Sequence, residues 1–322
     1  DHESRQSPKS PLRNVTLNCR MMLCAALAVL AACGHSHPVT LAATSAPGSA
    51  PGASDPRPPV IRFTPSADGV PIGWHQYGHG DPAVVLIHGW AEDSTIWRAQ
   101  LAALAAHYTV VTLDLGGQGV SGAARRSWSL ANFAQDVAAV AAVLPNPRIV
   151  LVGQGMGGPV ALEAAPLIGA RLAGLIGVET FRTLGEPTPL PSQVEQAVQP
   201  FRADFAGAVR RFVTATLFHP RSDPALVRSV ADLMAHTAPE RGVAALSDLN
   251  RLDYAAILPP VKVPMVVIDS DLGGAVDAGR LRHAAAHLTL VTLNGDDSFA
   301  MLDDTGRFNS ALLQAIASLA GQ

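Results

Sequence analysis

The sequence predicts an α/β domain, a mostly parallel sheet covered by helices on both faces and carrying one helical insertion. Short Val- and Ile-rich runs recur along the chain, Ala/Leu segments of helical period separate them, and the alternation breaks only between Phe181 and Tyr254. Of 322 residues 48% are hydrophobic, enough for one core of roughly 250 to 270 residues once the N-terminal segment is set aside. The formal net charge is -3 and no Lys/Arg-rich run occurs, so nucleic acid is not an expected partner. The three cysteines, Cys19, Cys24 and Cys33, all lie near the N-terminus, leaving the body no disulfide framework.

The elements follow in order. Met21 to Ala32 is an apolar run too short to span a bilayer, preceded by Arg13 and Arg20, as in the hydrophobic and basic regions of a signal peptide. It ends Leu30-Ala31-Ala32-Cys33-Gly34, which resembles a bacterial lipobox. That resemblance implies residues 1-33 as signal peptide and lipobox, Cys33 as the lipidated first mature residue, and a lipid-anchored protein of the cell-envelope membrane. Gly34, not aspartate, after the cysteine points to the outer membrane in a Gram-negative cell. Residues 34-59 are Ala, Ser, Pro, Gly and Thr with little to bury, the composition of a flexible tether.

From residue 60 the domain runs to 322. Ala83 to Ile87, Tyr108 to Leu113, Arg148 to Val152, Leu172 to Glu179, Pro264 to Asp269 and Leu288 to Leu293 read as nearly continuous apolar, buried strands. Ser94 to Ala106, Ser129 to Leu144, Met156 to Ile168 and Thr305 to Leu319 read as helices between them. Across about 182-254, Val194, Val198, Phe201, Phe205, Val209, Phe212 and Val213 recur at helical spacing, and this insertion is expected to close over the sheet as a lid. No repeat of 20 to 50 residues is present, which removes solenoids and propellers.

Three loops carry a further resemblance. His88-Gly89-Trp90 follows the first of these strands, Asp114-Leu115-Gly116-Gly117-Gln118-Gly119-Val120-Ser121 follows the second, and Gly153-Gln154-Gly155-Met156-Gly157-Gly158 joins the third to a helix. In this order they resemble the α/β-hydrolase fold, over about 260 residues from near Val60. The resemblance implies an oxyanion hole from the backbone N–H groups of Trp90 and Met156, and a structural Ser121. It also places Gly155 in the nucleophile slot of the G-x-S-x-G elbow. Glycine tolerates the left-handed turn while offering no hydroxyl.

The C-terminal loop repeats the pattern. Gly295-Asp296-Asp297-Ser298-Phe299-Ala300-Met301-Leu302-Asp303, with Phe308 beyond it, sets Ser298 where the family has its general-base histidine. A neutral hydroxyl cannot take a proton from an alcohol near pH 7. His287 precedes the last strand, on the wrong side of this loop. For the acid, Gly273 occupies the usual carboxylate position, Asp269 and Asp271 stand nearby, and Glu179 ends the sixth strand of the family pattern, where some relatives carry the acid. His88 is expected to hydrogen-bond within its own loop, His219 and His236 to lie on the lid surface, and Asp297 to point away from Ser298.

Three functions are consistent with this pattern. One is a non-catalytic hydrolase relative holding a small apolar or acyl ligand under the lid. Another is an active hydrolase or lyase in which Glu179, Asp269 or Asp271 activates water. A purely structural role for an altered copy is a third. No metal and no cofactor is expected.

Overall fold

A computed structural model describes residues 60–321 apart from residue 275. The signal segment, Cys33 and the tether therefore lie outside the described residues. Eight strands form one sheet in the order β1-β2-β4-β3-β5-β6-β7-β8. They are β1 (Arg62–Pro65), β2 (Pro71–Tyr77), β3 (Ala83–Ile87), β4 (Thr109–Leu113), β5 (Ile149–Gln154), β6 (Leu172–Val178), β7 (Met265–Ser270) and β8 (Leu288–Leu293). From β4 to β8 the neighbours are parallel, whereas β1–β2 and β2–β4 are antiparallel.

Every residue of β3, β4, β5 and β7 is buried, as their unbroken apolar runs demand of strands covered on both faces. Two features depart from the sequence reading. The antiparallel pair β1 and β2 is additional; β1 buries a single residue and β2 contains Pro71 and Gly73, so neither presents a long apolar run. Leu288–Leu293, read as a buried strand, is the outer strand β8 and is covered only in part.

The main helices are α1 (Leu101–Ala105), α2 (Leu130–Val143), α3 (Gly157–Ile168) and, at the C-terminus, α11 (Thr305–Ala320). The segment read as one helix from Ser94 is broken. Asp93 accepts from Thr95 N–H at 2.9 Å and caps a single 3-10 turn, Ser94–Trp97, after which α1 begins. Buried Gln100 between them donates to Met301 O at 2.7 Å and Asn309 Oδ1 at 3.0 Å, fixing this loop to the C-terminal helices. Ser121 is structural: it accepts from Gly73 N–H at 2.8 Å and donates to Asp114 O at 2.5 Å, joining β2 to the turn after β4.

The insertion is mainly helical: α4 (Pro191–Ala203), α5 (Phe205–Phe212), a π-type turn at Val213–Leu217, α6 (Pro224–Ala235) and α7 (Pro239–Leu249). Its periodic residues Val194, Val198, Phe201, Phe205 and Val209 are buried. Short helices α8 (Tyr254–Ile257), α9 (Ala278–Ala284) and α10 (Ala300–Asp303) complete the chain. Among the described residues no helix is long and apolar enough to cross a membrane.

The lid is seated on both sides. Trp90 donates its indole N–H to Gly242 O on α7 at 2.8 Å and meets Phe201 and Phe205 edge-on at 5.3 and 5.8 Å. On the other side Asp297 accepts from His219 N–H and Ser222 Oγ, both at 2.6 Å, while Phe218 stacks on Phe299 at 5.5 Å. His219 is thus drawn into this joint, half-buried with its Nε2 lacking a partner among the described residues, and not on a helix surface; His236 is exposed. Trp90→Ala removes the α7 hydrogen bond and the aromatic contacts but keeps the backbone N–H. A loss of about 3–5 kcal/mol is expected, read as a lower calorimetric midpoint with faster proteolysis inside 182–254.

Candidate active site

The turn from β5 to α3 is built by backbone crowding. A Cβ on Gly153 would sit 2.2 Å from Gly157 O, and one on Gly157 would sit 2.6 Å from Ile87 O, so both positions exclude side chains. Gly155 at the apex has φ +51°; its N–H donates to Val178 O at 2.9 Å, and Thr180 Oγ1 donates to its carbonyl at 2.8 Å. A Cβ there would meet only Gly89 Cα, at 3.9 Å. The apex has room for a Cβ although the chain supplies none.

Met156 caps the N-terminus of α3, where backbone N–H groups lack helical acceptors, and Trp90 follows Gly89 across the turn. Neither backbone N–H is used in a hydrogen bond among the described residues. His88 is fully committed beside them: Leu115 N–H donates to Nε2 at 3.0 Å, which leaves Nδ1 to donate to Gly89 O at 2.9 Å. Burial keeps this imidazole below its ordinary pKa, hence neutral.

Glu179 directly follows β6 with φ +47°, a left-handed conformation uncommon for a side-chain-bearing residue. Its carboxyl accepts from Ser270 N–H and lies 3.4 Å from Arg182. Arg182 also reaches Asp269, at 3.1 Å, and donates to Ser270 O at 2.7 Å. Burial pushes the Asp269 carboxyl well up, the neighbouring Glu179 adds to this and Arg182 opposes it. Asp271 accepts from Gly295 N–H at 2.6 Å, bridging the loops after β7 and β8.

A cavity of about 570 Å³ unites most of these positions. Trp90, Gly155, Met156, Glu179, Gly273 and Ser298 all line it, with Phe212 and Leu217 of the lid opposite. Asp269 and Asp271 do not, and no histidine stands among the lining residues. Ser298 is half-buried, its N–H bonded to Leu217 O at 3.1 Å.

Among the polar residues of the cavity wall, sequence reasoning gave no role to Glu92, Gln154 or Arg182. Glu92 stands beside Asp93 in the loop after His88 and carries no signal of its own in the sequence; Arg182 takes its meaning from contacts nearly ninety positions away. Glu92 is 3% exposed, and burial raises its carboxyl to about 8 against weaker lowering by the Gly89 N–H. No cluster of three or more His, Cys, Asp or Glu able to hold a metal occurs among the described residues.

Residues 82–224 match the family model described as alpha/beta hydrolase fold. A pimeloyl-[acyl-carrier protein] methyl ester esterase of Xanthomonas oryzae pv. oryzae is 29% identical over 252 residues, covering 75% of this chain and 97% of that protein. A protein of the same name from Edwardsiella ictaluri is 31% identical over 212 residues, covering 63% and 80%. Among solved structures, an esterase from Rhodococcus sp. superposes with TM-score 0.65 at 28% identity over 80% of this chain and 99% of its own. A thermophilic esterase from Thermogutta terrifontis does so with TM-score 0.71 at 22% identity, covering 82% and 100%. With the glycine-built elbow, the lidded cavity and these relatives together, the chain belongs to the α/β hydrolase fold family, on its esterase-like side.

Proposed function

We propose that this protein is a serine-less esterase relative that holds a small acyl ester or similar apolar ligand beneath its lid and does not turn it over by a covalent serine step. The observation carrying this reading is Gly155 at the apex of an intact elbow, in a cavity with no lining histidine and with Ser298 on its wall. Without hydroxyl and imidazole, the N–H groups of Trp90 and Met156 are a cradle for a carbonyl with nothing to attack it. The names of the relatives from Xanthomonas and Edwardsiella support a fatty acyl methyl ester as ligand class. Water activation by Glu179 is disfavoured, because its carboxyl is already engaged by Ser270 N–H and Arg182.

Calorimetric titration with methyl hexanoate is expected to show saturable binding, while hydrolysis of short acyl esters stays at the level of a Gly155→Ala control. Turnover well above that control overturns the non-catalytic reading. The same proposal puts the protein on a cell-envelope membrane through Cys33, so Cys33→Ala is expected to abolish acyl labelling and release it from the membrane fraction.

A further inference from the structure

Large hydrophobic side chains left in water are few, and they are not scattered. Among the described residues seven are exposed, and four of these, Val60, Ile61, Phe63 and Val120, belong to β1, the segment entering it and the turn beside it. Phe63 is opposite Gly73 in the β1–β2 register. A Cβ on Gly73 would stand 2.5 Å from Val120 Cγ2 and 3.3 Å from Phe63 Cε1, so Phe63 and Val120 close together over that glycine. Ile61, two positions before Phe63, shares its face by strand alternation. The other face of β1 is occupied: Thr64 accepts from the Trp74 indole N–H at 3.0 Å, and the Arg62 guanidinium lies over the Trp74 ring at 5.2 Å. Single exposed apolar residues need no explanation, whereas a contiguous group of them marks a contact surface.

This patch stands at the cavity end of the sheet. Arg62 is level with Trp74, and Trp74 with Leu113, the last residue of β4, so β1 starts where β4 ends and runs beyond it. Val120 belongs to the turn after β4, where its N–H donates to Asp114 Oδ2 at 2.8 Å. The same turn touches the lid, since Arg241 donates to Gly117 O at 3.1 Å and Thr237 to Gln118 Oε1 at 3.0 Å. Charge does not oppose a lipid partner. Asp68, in the β1–β2 turn, is paired with Arg125 at 3.0 Å, and Arg62 is exposed at the sheet edge, a charge that anionic headgroups attract.

We propose that Ile61, Phe63 and Val120 form a docking face for a phospholipid bilayer, which turns the cavity end of the domain toward the membrane. The proposal rests on the Cys33 anchor proposed above. A tether of the Ala, Ser, Pro, Gly and Thr composition of residues 34–59 averages roughly 25–30 Å from end to end. It joins the domain at Val60, beside the patch, so the anchor holds this face closer to the bilayer than any other and at high effective concentration there. Apolar side chains on such a face enter the boundary between headgroups and acyl chains to ~5–10 Å.

The test uses the absence of cysteine from the domain itself. With Cys19 and Cys24 removed in the signal segment and Cys33 blocked by its lipid, Val120→Cys supplies one free thiol for a fluorophore. Val143→Cys serves as control, because Val143 is exposed and ends α2 ahead of β5, at the far end of the sheet. In the full anchored chain, reconstituted in vesicles of phospholipids brominated high on their acyl chains, the label at 120 is expected to lose ~half or more of its emission and the label at 143 less than ~10%. Ile61→Glu with Phe63→Glu should abolish the quenching at 120 while the protein still floats with the vesicles. Flotation with equal quenching at both positions, with none at 120, or with quenching unchanged in the double glutamate variant overturns the inference and leaves the anchor intact. A label at 120 that bromine does not quench but that is shielded from aqueous iodide overturns it in favour of the tether or a second copy. Failure to float removes the anchor reading and this inference with it. The comparison of 120 with 143 decides alone should the glutamate variant not fold.

Discussion

Restoring hydroxyl and imidazole together, as Gly155→Ser with Ser298→His, is expected to raise kcat/KM on short acyl esters by at least ~10³-fold, whereas either change alone should leave turnover near background. The asymmetry follows from how the triad works: removing serine or histidine alone costs about as much as removing both, roughly 10⁶ in turnover, so one restored member recovers little. The remaining parts are present. The Gly155 apex accepts a Cβ with 3.9 Å clearance, and φ +51° is a backbone strain that the serine of a nucleophile elbow ordinarily bears. Trp90, Met156 and Ser298 face one cavity.

That expectation turns on the acid. Glu179 lines the cavity but accepts from Ser270 N–H and pairs with Arg182. If Glu179 orients the new imidazole, adding Glu179→Gln to the double variant should return turnover towards background. A double variant that binds methyl hexanoate and stays silent would show that Glu179 is held by Arg182 and cannot serve, so that relocation of the acid, and not only loss of the serine, separates this protein from the esterases.

The parts of the site legible in the sequence are those fixed by local backbone demands. Gly153 and Gly157 are dictated by atoms of the elbow itself and of the adjacent β3 end, which is why the turn could be placed although its serine is missing. The lid was legible for a similar reason, since Val194, Val198, Phe201 and Phe205 reveal a buried helical face by spacing alone. Its seating was not: the indole of Trp90 meets Gly242 from 152 positions away. The Glu179–Arg182–Asp269 cluster depends on β6 lying beside β7, and β1 and β2 lack the apolar run by which strands are recognised. Glu92 was hidden for a different reason. A carboxyl in an exposed turn and one sealed beneath a lid have the same letter, and only burial separates them.

That burial makes Glu92 a stability liability whose size depends on pH, and Glu92→Gln should expose it. The carboxyl is raised in the fold from 4.5 to about 8. For an acid with a raised folded pKa, the contribution to stability is fully present below the unfolded value and is lost as pH rises through the folded one, because the unfolded chain releases the proton that the folded chain must keep. The window is therefore about pH 4.5 to 8, with no further change above it. At ~1.4 kcal/mol per unit the full span approaches ~5 kcal/mol, an upper bound if the fold opens to let in water. Glutamine retains an oxygen for Gly89 N–H and carries no titration, so the amide variant should match wild type near pH 5 and exceed it by several kcal/mol near pH 8.5. Urea unfolding of both proteins across that range checks this, and taking the difference at each pH cancels groups common to both, including neutral His88 and the raised Asp269. A difference that does not grow between pH 5 and 8.5 would mean that Glu92 is hydrated or paired in solution. It would then be charged at neutral pH, adding an anion to the cavity wall.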